Sequence, residues 1–182
     1  MLQLCEAEPA PGIRYNSPLL LRLGHTVDYQ ALNAAFAQLL ARHESLRTGF
    51  KKNGEDYQQL VYDRLDPAIA DCTATAGSFA ELSAQLTCEA FPLDGSPLFR
   101  TALYNTRDEG FLLWLDKHLL LADRYSDELL VKELAGLYGG QAPEAVRIQY
   151  VDYTLWQCDP ARTEQVKENG QYWSALLQDY TP

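Results

Sequence analysis

The sequence predicts an α+β domain, an α/β sandwich in which helices pack on a mixed or antiparallel sheet. Segments 98–104 and 110–118 are apolar and short, which favours two adjacent antiparallel strands. Asn53-Gly54 lies between two further strand-like segments and fits a tight hairpin turn, because both residues tolerate positive φ. Apolar residues recur at helical spacing within segment 32–43. Together these patterns favour a sheet that is covered by helices.

The first half of the chain gives most of the local start and stop signals. A strand over 18–23 precedes a helix that begins after Asp28, a residue type that caps free amides. Ser78 and Glu81 have the spacing of a capping box and predict a helix that continues to about residue 90. The other segments follow in this order: hairpin strands over 48–51 and 57–62, an irregular stretch over 91–97, a helix from Ser126 to Gly139, a loop over 141–147 and a last helix after Asp159-Pro160.

Composition and charge restrict the setting in which the chain works. Of its 182 residues 47% are hydrophobic, and 15 basic against 25 acidic side chains give a net charge of −10. An acidic surface argues against nucleic acid and anionic membranes as partners. The N-terminus lacks a basic segment with a long apolar run, so we expect a cytoplasmic protein. The four cysteines are far apart, which favours buried thiols over zinc, redox or disulfide sites: Cys5, Cys72, Cys88 and Cys158.

The strongest candidate site lies between Leu115 and Leu134. An apolar strand runs into a short polar break, and Ser126, which two acidic residues follow, is typical of a helix N-terminus. We therefore expect Ser126 to cap the helix. His118 and Asp123 lie on the connection between strand and helix, where functional side chains often occur.

This connection resembles the core of the condensation domains of nonribosomal peptide synthetases. Their pattern is His-His-x-x-x-Asp-Gly, followed by an aromatic residue and Ser. Laid on the sequence without gaps, it is matched at four positions: His118, Asp123, Tyr125 and Ser126. The second His, which the family associates with catalysis, falls on Leu119, and the Gly falls on Arg124.

Two other alignments of the same residues are possible. A shift by one residue would put His118 in the catalytic position, but Ala122 would then replace the Asp. The related heterocyclisation domains carry Asp-x-x-x-x-Asp-x-x-Ser, and here the first Asp is replaced by His118. The gap-free alignment is preferred because it keeps Asp123, the aromatic residue and Ser126 together.

Two further motifs extend the resemblance. Residues 42–50, RHESLRTGF, are similar to the family's Arg-His-Glu-x-Leu-Arg-Thr-x-Phe, and residues 150–156 are similar to its Tyr-x-Asp-aromatic-x-x-Trp. The resemblance covers about residues 15–178 and implies one lobe of the two-lobed chloramphenicol acetyltransferase-like fold. We therefore expect 1–182 to be a single N-terminal lobe, with 1–14 irregular or the remainder of a first helix and the C-terminal lobe absent.

The resemblance also implies structural roles for several residues. Asp123 is expected to pair with Arg47 and so to pin the strand to the helix, while His118 is expected to be packed inside. Arg124 would plug a channel mouth or reach solvent. Further structural positions are expected at Arg42, Asp152 and Trp156. The tryptophans Trp114, Trp156 and Trp173 are expected in the core.

These positions predict a chain without condensation activity, because Leu119 cannot accept a proton from an attacking amine. The chain would act as a docking or structural module of a peptide synthetase, with other synthetase domains, a carrier protein or a tailoring enzyme as partners. Self-association through an exposed lobe face is also expected. No cofactor is expected to bind directly, and the phosphopantetheine arm of a carrier protein would bring the substrates.

Two alternatives remain open at this stage. The chain could be the N-terminal half of an active condensation or heterocyclisation domain, which forms amide bonds or azoline rings between carrier-bound acyl groups. It could also be a free-standing acyltransferase that uses acyl-CoA. The second alternative needs a usable His on the site strand, which the preferred alignment does not provide.

Overall fold

The computed structural model describes residues 15–65, 69–73, 77–85 and 89–180. The chain divides into two compact units, one that ends at Val146 and one that begins at Arg147. In its described part the first unit contains these elements: β1 (Leu19–Gly24), α1 (Tyr29–Arg42), β2 (Thr48–Asn53), β3 (Asp56–Val61), β4 (Ile69–Asp71), α2 (Phe79–Gln85), β5 (Phe99–Thr106), β6 (Gly110–Lys117) and α3 (Arg124–Tyr138). The second unit contains α4 (Tyr150–Gln157) and α5 (Thr163–Leu176).

The main sheet of the described residues is mixed, with the strand order β1-β6-β5-β4. Its centre is the predicted antiparallel pair β5 and β6, in register from Phe99 opposite Lys117 to Thr106 opposite Gly110. The short strand β4 is parallel to β5. The predicted hairpin is also present, because β2 and β3 pair antiparallel around the turn at Asn53 and Gly54. Gly54 has the positive φ of 66° that this turn requires.

The core lies between the sheet and the helices α1 and α3. The apolar residues of α1 recur every three or four positions, so that they share one helix face, and that face is buried. The cluster they form with the sheet and α3 includes Leu32, Phe36, Leu39, Leu40, Leu103, Leu113, Leu134 and Leu137. Full burial of one such side chain contributes about 1.5–3 kcal/mol. This packing fixes the end of β6 against the start of α3, where the motif residues lie.

Helix capping follows the sequence signals at two places. Asp28 caps α1 by accepting a hydrogen bond from the amide of Ala31 at 3.0 Å. Ser78 and Glu81 cap each other at the start of α2, with the Ser78 amide 2.8 Å from Oε2 of Glu81. Helix α2, predicted to continue to about residue 90, is described to Gln85. Residues 86–88 and the predicted irregular segment 1–14 lie outside the described residues, and 89–90 are irregular.

Trp114 is buried, as expected, but the core prediction is wrong for Trp156 and Trp173, which are 51% and 55% exposed. The physical reason is the small size of the second unit, since two short helices cannot enclose large aromatic rings. In the described part of the chain, no helix combines the length and the apolarity that spanning a membrane requires.

Candidate functional site

Backbone hydrogen bonds hold the connection between β6 and α3 at several points. The amide of His118 donates to the carbonyl of Leu98 at 2.9 Å, and the amide of Leu119 donates to the carbonyl of Tyr15 at 2.8 Å. The amide of Leu121 turns back to the carbonyl of His118 at 3.0 Å. The motif residues therefore lie on a fixed turn between strand and helix.

His118 is packed inside, with 2% of its surface exposed. Its ring stacks on Tyr15 at a centroid distance of 5.8 Å and meets the edge of Phe91 at 6.4 Å. Nδ1 accepts a hydrogen bond from the amide of Leu120 at 3.0 Å. Burial lowers the pKa of His118, because an apolar environment disfavours the charged imidazolium. The ring is therefore a neutral imidazole that has a structural place in the turn.

Leu119 and Arg124 depart from the family pattern, and both reach the surface. Leu119, on which the gap-free alignment places the second His of the pattern, is 36% exposed and has an alkyl side chain. Arg124 is the first residue of α3 and is exposed. Whether the Arg124 side chain plugs a channel mouth or simply reaches solvent stays a prediction.

The cap of α3 is Asp123, three residues before the expected cap at Ser126. Oδ1 of Asp123 accepts from the Ser126 amide at 2.8 Å and from the Ser126 hydroxyl at 2.7 Å. The Asp123 amide donates in return to Oγ of Ser126 at 3.4 Å, which completes a capping box. The backbone and side-chain hydrogen bonds from Ser126 lower the pKa of Asp123. The Asp123 carboxylate thus caps the N-terminus of α3 and lies at the surface.

The predicted pairing of Asp123 with Arg47 is wrong. Arg47 is buried and donates from Nε to the carbonyl of Leu40 at 2.9 Å, and from one terminal nitrogen to the carbonyls of Tyr62 and Asp63, the latter at 3.2 Å. The carbonyl of Leu40 belongs to the last turn of α1, where carbonyls have no partner within the helix. Arg47 therefore caps the end of α1 and anchors the end of β3.

Arg42 forms an ion pair whose partner was not predicted from the sequence. Its guanidinium holds Glu133 of α3 in a two-point contact, at 2.9 Å and 3.2 Å, and Nε2 of His43 lies 2.5 Å from the same carboxylate. Burial alone would raise the pKa of Glu133, but the hydrogen bonds from Arg42 and His43 bring the net pKa below its ordinary value. One feature of the sequence indicated such a contact: the acidic residue Glu133 lies between Leu130 and Leu134 on the buried face of α3 and therefore needs a basic partner.

A second buried network was also missed, although Asp116 and Lys117 interrupt an apolar strand. Asp116 is 0% exposed, and its Oδ2 accepts from Nε of Arg100 at 3.1 Å and from Nδ2 of Asn16 at 2.9 Å. The Arg100 guanidinium lies over the ring of Phe91 at 4.2 Å. Burial raises the pKa of Asp116, and Arg100 opposes that rise. A charged residue inside an apolar strand was the signal for a buried partner.

In the second unit, Asp152 takes part in the N-terminal cap of α4, where Oδ2 accepts from the amide of Gln149 at 2.8 Å. Trp156 stacks on Tyr153 at a centroid distance of 5.6 Å, and the Arg162 guanidinium lies 3.5 Å from the Trp156 ring centroid. Both residues support local helix structure within this unit.

No metal-binding arrangement occurs within the described residues: no group of three or more His, Cys, Asp or Glu side chains is placed to hold an ion. Cys158 is exposed and Cys72 is half-buried, so the expectation of buried thiols is wrong for Cys158. Cys5 and Cys88 lie outside the described residues.

Comparison with known proteins decides the family. The sequence profile of the family described as "Condensation domain" matches residues 2–182. The chain belongs to the condensation-domain family. It is 38% identical over 162 residues to tyrocidine synthase 3 of Brevibacillus parabrevis, covering 89% of this chain and 2% of that protein. It is 31% identical over 172 residues to gramicidin S synthase 2 of Aneurinibacillus migulanus, covering 94% of this chain and 4% of that protein.

Solved structures show the same fold for this condensation-domain chain. The condensation domain from the monacolin K polyketide synthase MokA superposes with a TM-score of 0.78 at 20% identity, over 99% of this chain and 41% of that chain. The complex of the X-domain and OxyB from teicoplanin biosynthesis gives 0.76 at 24% identity, over 88% and 38%. The predicted fold, an α+β lobe of the chloramphenicol acetyltransferase-like type, is confirmed. The chain spans less than half of these structures and a small fraction of its curated relatives.

Proposed function

We propose that this condensation-like chain is catalytically inactive and works by contact, as a docking or structural module in a nonribosomal peptide synthetase. One observation carries the proposal: the exposed position next to His118 is Leu119, which has no atom that can accept a proton. A general base in an acyl transfer must lie within hydrogen-bond reach of the proton that it removes, or act through one water.

His118 does not replace the missing base in this proposal. Its ring is enclosed by Tyr15 and Phe91, and one ring nitrogen already accepts the amide proton of Leu120. General bases typically contribute about 10²- to 10⁴-fold to a rate, so a chain without one retains at most the effect of positioning.

The proposed partners are a carrier protein, other synthetase domains and a tailoring enzyme. The structurally similar X-domain was solved in a complex with OxyB, which supports a role for this fold in binding another protein. Relatives named as peptide synthases support a place in an assembly line, where phosphopantetheine arms on carriers bring the acyl groups. We place the chain in the cytoplasm, where such an assembly line works. Self-association through an exposed face stays a prediction, which light scattering on the purified chain would test.

An assay with loaded carriers tests the loss of catalysis. The chain is mixed with an acyl-loaded donor carrier and an aminoacyl-loaded acceptor carrier, and products on the carriers are followed by mass spectrometry. We expect no amide product and no dehydrated ring product above a sample without the chain. Leu119→Ala is the matched control, because it changes the side chain at this position without supplying a base, and it should also give no product.

Product that requires the wild-type chain and disappears with His118→Ala would overturn the proposal. That result would show that this lobe catalyses acyl transfer by itself and depends on His118, whereas the alternative, the N-terminal half of an active condensation or heterocyclisation domain, predicts product only when a second lobe is supplied. The contact role is tested separately by sedimentation velocity with phosphopantetheinylated carrier protein. A mixture whose components sediment independently of one another, at concentrations well above the micromolar range, would remove the carrier from the partners.

A further inference from the structure

Lys117 and Asp127 form a buried ion pair at the two ends of the connection that carries the motif positions. The Lys117 ammonium lies 2.5 Å from Oδ1 of Asp127, and the side chains are only 5% and 19% exposed. Lys117 is the last residue of β6, and Asp127 lies in the first turn of α3. The pair therefore joins the strand end directly to the helix start, across residues 118–123.

Lys117 also fastens a third segment to this junction. Its ammonium donates to the carbonyl of Ser17 at 2.9 Å, and its own carbonyl accepts from the Ser17 amide at 2.7 Å. The two segments run in opposite directions, and two residues after Lys117 and two before Ser17 the amide of Leu119 donates to the carbonyl of Tyr15 at 2.8 Å. The Lys117 side chain thus joins Ser17, the end of β6 and the beginning of α3, and the backbone bond of Leu119 extends this junction to Tyr15.

The surroundings of the pair are apolar, so each of the two charges is stabilised mainly by the other. Lys117 and Asp127 line a narrow crevice between the sheet and the helices, together with Phe36, Leu115 and Leu130. In such surroundings a charge that loses its partner is costly, whereas replacement of both charges by apolar side chains is often tolerated. The attraction is also stronger than at the surface, since little water screens it.

We infer that the Lys117–Asp127 pair is the electrostatic lock that holds the connection 118–123, the role that the motif resemblance implied for Asp123 and Arg47. The lock acts on the conformation of the turn around His118, and it is independent of whether the chain catalyses a reaction. Removal of one charge opens the connection, because the remaining charge draws water into the crevice. Removal of both charges leaves an apolar contact and a closed connection.

Native-state amide exchange measures this opening at the amides of Leu119, Leu120 and Leu121, which are bonded within the turn or to Tyr15. We expect Lys117→Met and Asp127→Leu each to accelerate exchange at these amides about tenfold or more. The double variant should return to within about threefold of the wild type, since both charges are gone. The matched control is the more exposed pair Arg22 and Glu109, 2.7 Å apart, with side chains that are 66% and 31% exposed. Its replacement by Met and Leu should leave these amides unchanged.

Each other outcome overturns the inference. Exchange at wild-type rates in both single variants would show that the pair holds nothing. A double variant as fast as Lys117→Met would assign the effect to the lost contact with Ser17 rather than to the pairing. Equal acceleration at the amides of α1 would show a loss of global stability alone. If Lys117→Met does not fold, amide exchange at the same three residues is measured in the isosteric variant Asp127→Asn instead.

Discussion

Replacement of Arg47 by Met removes the guanidinium while it keeps most of the side-chain volume. The carbonyls of Leu40, Tyr62 and Asp63 lose their charged donor, and they lie where the end of α1 meets the end of β3. A hydrogen bond from a charged donor contributes about 1.5–3 kcal/mol. With one such contribution for each of the two anchored segments, at the lower end of that range, we expect the free energy of unfolding to fall by about 3 kcal/mol.

Equilibrium unfolding in guanidinium chloride, followed by circular dichroism, measures this loss. Arg124→Met is the matched control, because it removes an exposed guanidinium, and it should change stability by no more than about 0.5 kcal/mol. Arg47→Lys should be intermediate, since a single ammonium cannot bond to both anchored segments. A loss below about 1 kcal/mol for Arg47→Met would refute the assignment of Arg47 as a double anchor.

The same experiment separates this assignment from the pairing with Asp123. The structure places Asp123 in the cap of α3 and Arg47 on backbone carbonyls elsewhere, so the effects of Arg47→Met and Asp123→Ala should add within about 0.5 kcal/mol. A coupling well above that value would mean that the two side chains interact after all, and the contacts described for Arg47 would then be the wrong ones.

Three further perturbations follow from the fold. A methyl group at Gly49 would meet the carbonyl oxygen of Gly95 at 2.0 Å, so Gly49→Ala should lower the free energy of unfolding by about 1–3 kcal/mol. Gly170 lies in a helix with open space around it, so Gly170→Ala should raise the stability, and thermal melts compare the two variants. Leu113 is fully buried, and Leu113→Ala should cost about 3–5 kcal/mol in chemical unfolding. Because the pKa of Asp123 is lowered from 3.8, the stability that its charge provides is present above that value and is lost as the pH falls through the lowered pKa. The difference in melting temperature between wild type and Asp123→Asn should therefore shrink in acid, and a difference that is the same at neutral and strongly acidic pH would contradict the capping role.

Local signals predicted the elements well because the interactions behind them are local. The cap at Asp28 and the capping box of Ser78 and Glu81 each involve residues three apart, and the hairpin turn needs only Asn53 and Gly54. The start of α3 was misplaced although its signal was also local. Both Asp123 and Ser126 are residue types that cap helices, but only Asp123 has a capping partner three residues later, namely Ser126 itself, and α3 begins directly after Asp123.

Partners that are far apart in sequence could not be predicted from patterns. Glu133 lies on the apolar face of α3 and is held by Arg42, 91 residues earlier in the chain. Asp116 meets Arg100 because β5 and β6 pair in a register that places these two residues opposite each other. The sequence showed that a charge inside an apolar strand needs a partner, but the register that selects the partner is set by the packing of the sheet.

The burial of two neighbouring residues bears on the choice between the gap-free alignment of the motif and the one shifted by one residue. Side chains alternate between the faces of a strand, so at the end of β6 Lys117 points to α3 while Asp116 faces Arg100. The His118 ring is enclosed by Tyr15 and Phe91. The next residue, Leu119, is 36% exposed. A catalytic base has to meet a substrate, so the exposed position is the one suited to the second His of the pattern. An imidazole placed there by Leu119→His would be accessible, while the existing one at His118 is enclosed, and this difference favours the gap-free alignment over the shifted one.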